Sequence, residues 1–192
     1  ALLVSIYQTN VLSGQQKVMD EQQKIMRSQQ DLMQKNAEAQ LWPRLDIGMV
    51  EAYEKNRLSE LRLTLSNNGT GPAIIEFVAM GIDGKCAGSW SDLWRVSNLP
   101  DSIPWTISNS PIINRVVQPG EHYTFLSLED NQKLRDYILS GIRNKNGLEI
   151  VLCYKSVFDK HWIHEGQMEK VFFTPPVEVD SCTDKGRPLF LN

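Results

Sequence analysis

The sequence is poor in residues that carry chemistry. It has only three histidines and three cysteines among 192 residues. The cysteines, Cys86, Cys153 and Cys182, include no CxxC pair, so neither a zinc ribbon nor a redox dithiol motif is written here. HExxH, GxSxG, GxxxxGKS/T and GxGxxG are all missing, and with them the signatures of a zincin helix, a nucleophile elbow, a phosphate loop and a dinucleotide turn. A basic field is lacking too. Twenty Lys and Arg stand against 23 Asp and Glu, a formal charge of −3, and they are scattered rather than clustered beside aromatics. That composition excludes the electrostatic footprint of a nucleic-acid binder. No apolar run approaches the roughly 20 residues of a membrane span.

Enough apolar residues remain to build a core, at 41% hydrophobic and 22% charged. An odd cysteine count leaves at least one thiol free unless it pairs between chains. In an oxidising compartment a Cys86–Cys182 bridge is open, because both residues lie near turn-like segments. Cys153, inside LEIVLCYKSVF, reads instead as a buried core thiol. The opening residues ALLVSIY are apolar apart from Ser5 and run straight into a polar helix. They read either as the first turns of the stalk or, the favoured reading, as the last turns of a membrane span, about a third of one.

The strongest pattern is a repeat of seven. Residues 11 to 38 align as VLSGQQK, VMDEQQK, IMRSQQD and LMQKNAE. Val11, Val18, Ile25 and Leu32 share one phase, followed by Ala39. Leu12, Met19, Met26 and Met33 come one residue later, and Gln15, Gln22, Gln29 and Asn36 four residues later. A strict seven-residue period keeps a stripe facing one way only in a left-handed supercoil. With the aliphatics at d, the glutamines fall at a and the Leu/Met series at e. Polar seam residues set register, and apolar e positions widen the contact face, so three or more chains are expected. The predicted contact residues are Val11, Gln15, Val18, Met19, Gln22, Ile25, Met26, Gln29, Leu32 and Met33. A methionine-rich face also suits a helix of another membrane protein, the main rival partner. Trp42-Pro43 ends the helix.

From Arg44 the period changes to two. RLDIGMVEAY, LSELRLTLSN and PAIIEFVAMGI read as strands, with NNGTGP a dense turn and Asp83-Gly84 a hairpin signal. SWSDLWRVSN reads as a short helix capped by Ser89 or Ser91, and 100–111 as loop. INRVVQ, Pro119-Gly120-Glu121 and HYTFLSL read as strand, turn, strand. Residues 130–142 suit a helix with Asp130 as N-cap. LEIVLCYKSVF is the most apolar strand, with WIHEGQMEKVFF its hairpin partner. The expected class is α+β, mainly β: a coiled-coil stalk (1–41), an immunoglobulin-like antiparallel β-sandwich of about seven strands with two short inserted helices (42–176), and an extended tail (177–192).

Trp42-Pro43 opening a strand after a juxtamembrane helix, then SNNGTGPAIIEFVAMGIDGK and Trp90, resembles uncharacterised bacterial membrane-anchored proteins with a C-terminal β-sandwich domain. In that group an NxGxGPA turn, here starting at Asn67, precedes a strand and a DGK…W hairpin and helix. The resemblance covers about half the chain. It implies an architecture and a bacterial inner-membrane location, with no activity attached.

Chemistry is sparse when each candidate is weighed. His161 and His164 sit three apart in HWIH, and on a strand that spacing sends the rings to opposite faces. They read as exposed polar residues at a hairpin tip, and His122 as a solvated strand edge. No catalytic residue, metal ligand or cofactor is expected. Trp94 is expected to be buried, whereas Trp90 and Trp105 either anchor the 89–111 insertion or form a ligand or partner patch. The leading expectation is a non-enzymatic scaffolding subunit that self-assembles through its stalk at a membrane. The alternative is a sensory module that recognises a ligand through the insertion.

Overall fold

A computed structural model describes residues 2–82, 84–100, 102–103, 107–128, 131–143, 147–167, 175–183 and 187–191. The chain forms two compact units, Ala1–Gln40 and Leu41–Asn192. The first is a single helix, α1 (Leu2–Gln40). Gln, Lys, Met, Glu and Ala favour the helix, and Gly14 is its only glycine. The conformational restriction on Trp42 from Pro43 follows directly after it.

The second unit is built on antiparallel sheets. β1 (Leu45–Glu54) and β2 (Arg57–Asn67) form a hairpin. Its turn, Lys55-Asn56, has positive φ at both residues, 50° and 62°, the twist that two-residue hairpins favour. β3 (Ala73–Ile82) and β4 (Lys85–Ala87) form a second hairpin, with Gly84 at φ 72°. β5 is Ser108–Asn109, β6 Val116–Val117, β7 His122–Ser127, β8 Leu148–Lys155, β9 His161–Gln167 and β10 Val177–Val179. The first sheet runs β1-β2-β7-β5. The second runs β10-β9-β8-β3-β4, with β6 also on β3. The described residues thus hold ten strands rather than about seven. The strand–turn–strand reading of 113–128 matches β6 and β7 on either side of the Pro119-Gly120 turn, and the two strands join different sheets.

Inward side chains from both sheets share one core. Leu61, Leu63 and Leu65 come from β2, Ile75 and Met80 from β3, and Ile150, Leu152 and Tyr154 from β8. A bulge at Ser59, where the β1–β2 register shifts, lets Leu58 and Leu61 both point inward although three positions apart. α2 (Trp90–Val96) adds Trp90, Leu93 and Trp94, and Ser89 caps it by accepting the Asp92 N–H at 3.2 Å. α3 (Gln132–Arg143) is capped by Asn131, which accepts the Leu134 N–H at 3.0 Å. The expected cap, Asp130, lies outside the described residues.

β8 is buried on both faces. Cys153 points away from the main core into a second cluster with Phe77, Ala79, Val151 and Ile163. There it is bonded to Cys182, while Cys86 is free and exposed. The Cys86–Cys182 bridge left open by the sequence is therefore not formed, and Cys153 is buried as expected but as a disulfide rather than a thiol. Alternation along β8 is the physical reason: with Tyr154 facing inward, Cys153 faces the other way. The C-terminal residues are also more than a loose tail. β10 pairs with β9, and the Phe190 side chain is fully buried. Phe190 donates its N–H to the Val78 carbonyl at 2.9 Å, on the stretch of β3 between its β6 and β4 pairings.

Asn67 fastens the start of this unit. It is fully buried, its Nδ2 donating to the Gly71 and Val117 carbonyls at 2.9 Å each. Its Oδ1 accepts the Arg44 and Gly69 N–H groups at 3.2 and 3.0 Å. Thr70 returns its N–H to the Trp42 carbonyl at 2.8 Å. Gly69 and Gly71 lie so close to the 41–44 backbone that a Cβ on either would collide with Trp42 or Leu41. The NxGxGPA turn is thus a clasp around the entering chain.

Candidate functional site

The candidate site with the most consistent geometry is the stripe along α1. Residues 12 to 36 are all exposed. Val18, Ile25 and Leu32 expose 55%, 58% and 59% of their surface, and Met19, Met26 and Met33 between 55% and 71%. Gln15, Gln22 and Gln29 are exposed in the alternating positions. Val11 lies on the same helix, but its side chain falls outside the description. Helix geometry thus gathers the predicted contact residues into one band about 33 Å long. A soluble protein seldom leaves so continuous an apolar band uncovered. No helix among the described residues is long and apolar enough to cross a membrane.

Trp90 presents almost no surface. Trp90 is only 4% exposed, stacked on Trp94 at 5.8 Å and edge-on to Phe190 at 5.0 Å. Of the two readings left open for Trp90, burial matches the anchor rather than the patch: it packs α2 on the core, as does Trp94. Trp105 lies outside the described residues. Two surface depressions, of about 420 and 430 Å³, are lined by Ile163 with Glu178–Thr183 residues and by Glu54, Lys55, Arg57 and Arg135; neither touches Trp90.

The histidines separate as strand alternation requires. His161 faces Glu76, with Nε2 3.3 Å from its carboxylate. Lys155 joins the same group, 2.9 Å from Glu76 and 2.9 Å from Asp159. Hydrogen bonds to those two carboxylates raise the Lys155 pKa, and the bond from Lys155 lowers that of Asp159. This is a solvated ion-pair network. His164 is fully buried, which corrects its assignment to an exposed hairpin tip. Its Nδ1 lies 3.0 Å from the Leu45 carbonyl, and burial lowers its pKa despite that bond. Tyr154, beside it in the core, accepts the Leu45 N–H at 3.3 Å, and burial pushes its pKa up to about 12. His122 is exposed at a strand edge, its Nδ1 2.8 Å from Ser66 Oγ.

Among the described residues no group of three His, Cys, Asp or Glu is placed to hold a metal ion. Sequence reasoning missed the buried, strand-gripping role of Asn67 and the partner of Cys182. The first was hidden because a turn motif does not reveal which strand it grips. The second was hidden because pairing depends on which face of β8 each residue occupies. No family model, curated protein or solved structure matches the chain.

Proposed function

We propose that the chain is a non-enzymatic structural subunit that self-assembles through α1, in groups of three or more, and displays its second unit at a bacterial inner membrane. The single observation that carries this reading is the exposed heptad stripe, aliphatic or amide at every seam position from Gln15 to Asn36. Burying it requires a partner, and the strict period of seven suits other helices of the same kind. The apolar residues preceding the repeat favour attachment at a membrane, as does the resemblance to membrane-anchored bacterial proteins.

The second unit fits an immunoglobulin-like sandwich. Lettered in chain order, β1-β2-β7-β5 follows the A-B-E-D order of that fold, and β9-β8-β3-β4 follows G-F-C extended by C′. The Cys153–Cys182 bond favours an oxidising compartment, hence the outer side of the membrane for this unit. Burial of Trp90 takes support from the rival reading in which the insertion recognises a ligand. Light scattering on the whole chain, with detergent included, tests the proposal. The expected result at micromolar concentration is a particle of at least three chains; a strict monomer would sink it.

A further inference from the structure

We infer that the copies of α1 associate parallel and in register. This rests on the self-association reading above and adds the identity of each layer's partner. The exposed stripe alternates two kinds of layer: aliphatic at Val18, Ile25 and Leu32, amide at Gln15, Gln22, Gln29 and Asn36. In a parallel bundle each position meets its own copy, so aliphatic packs on aliphatic and amide on amide. A glutamine carries two N–H donors and a carbonyl with two lone pairs. Amides of one layer therefore hydrogen-bond one another across the axis. In an antiparallel bundle the two kinds of layer meet each other. Every glutamine then presses on Val, Ile or Leu, and its amide is buried with nothing to bond. Shifting the heptad phase so that Leu12, Met19, Met26 and Met33 take the centre leaves the glutamines in alternate layers, and the same orientation follows. Full overlap buries every layer, whereas a slip of one heptad strips an aliphatic and an amide layer at each end.

The orientation has a functional consequence. All copies of Gln40 leave one end of the bundle, so the second units cluster there. The apolar residues 2–7 gather at the opposite end, where they can enter a single membrane. An antiparallel bundle would send them to both ends.

Spin labels on the whole chain test this. The exposed Cys86 is first removed by Cys86→Ser. One label is placed at Ser13→Cys and another, separately, at Arg27→Cys; both positions lie on the outer face of the repeat. A parallel, in-register bundle gives inter-copy distances within about 30 Å at both sites, set by helix diameters of roughly 10 Å and the label arms. An antiparallel bundle centred near Arg27 keeps the Arg27 labels close but separates the Ser13 labels by about 42 Å along the axis, twice the rise of the 14 residues between them. Short distances at both sites support the inference. A short distance at Arg27 with a long one at Ser13 overturns the orientation and leaves self-association standing. Absence of any inter-copy distance, together with a monomer by light scattering, overturns both.

Discussion

The two units use the same apolar residue types to opposite ends. In the second, Ile75 is fully buried and Leu65 is 2% exposed, both in a core cluster drawn from the two sheets. In the first, Ile25 and Leu32 stand more than half exposed on a helix. The second unit closes its own core through long-range antiparallel pairing, the Asn67 clasp and a disulfide. The helix holds itself together by propensity and length, and at 39 residues it exceeds the roughly 15 below which isolated helices are marginal. Its apolar stripe gains nothing from that. The stability of the second unit should therefore be independent of concentration, whereas burial of the stripe should follow mass action.

The largest effect that breaks this contrast is expected at the disulfide. Cys153 and Cys182 close a loop with a sequence separation of 29. Cutting it with Cys182→Ser restores chain entropy to the unfolded state, costing about 3–4 kcal/mol on a loop-entropy basis. It also loosens the cover over Phe77, Val151 and Ile163. Urea unfolding should show a lower midpoint for the second unit, while the size of the assembled particle stays unchanged. A shift in particle size instead would mean that the two units share their stability.

A smaller effect is expected from acid. Burial holds the His164 pKa below its ordinary value, so the unfolded chain takes up a proton more readily than the folded one. Its contribution is fully present above the unfolded value of about 6.5 and is lost as pH falls from there through the folded value. Midpoints measured at pH 7.5, 6.5 and 5.5 should decline on the acid side, and that decline should be shallower in His164→Gln. An equal slope in the variant would remove His164 as the cause.

The comparison also explains what could be read from the sequence. α1 and the β1, β2 and β3 strands were legible because their patterns are local: a period of seven in one case, alternation bounded by turn residues in the others. The Asp83-Gly84 hairpin and the Ser89 cap followed from short-range chemistry in the same way. β8 was legible as a strand but not as a two-faced one, since an unbroken apolar run has no phase. Its disulfide partner and the outward direction of Cys153 were hidden with it. Val116-Val117 was legible as a strand before the Pro119-Gly120 turn, but its partner was not: Val117 pairs with β3 opposite Ala73, a long-range contact that no local signal encodes. The heptad stripe is the inverse case. All its residues were legible, and under the proposed self-association what completes it is another copy of the helix.

The sharpest form of the contrast pairs two identical substitutions. Ile75→Ala removes a side chain from the closed core and should cost about 2–5 kcal/mol of second-unit stability. Ile25→Ala removes the same atoms from an exposed helix face and should leave the second unit's urea midpoint within about 0.5 kcal/mol of the parent. Its effect appears only when copies meet. Each assembled layer would then lose a buried isoleucine, and a loss of only about 1.4 kcal/mol raises the dissociation constant tenfold. Sedimentation across a dilution series should therefore separate the two variants: Ile75→Ala shifts unfolding at every concentration, and Ile25→Ala shifts only the concentration at which particles fall apart. If Ile25→Ala moved the urea midpoint of a dilute monomer, the stripe would already have a partner within its own chain, and self-association would lose its physical basis.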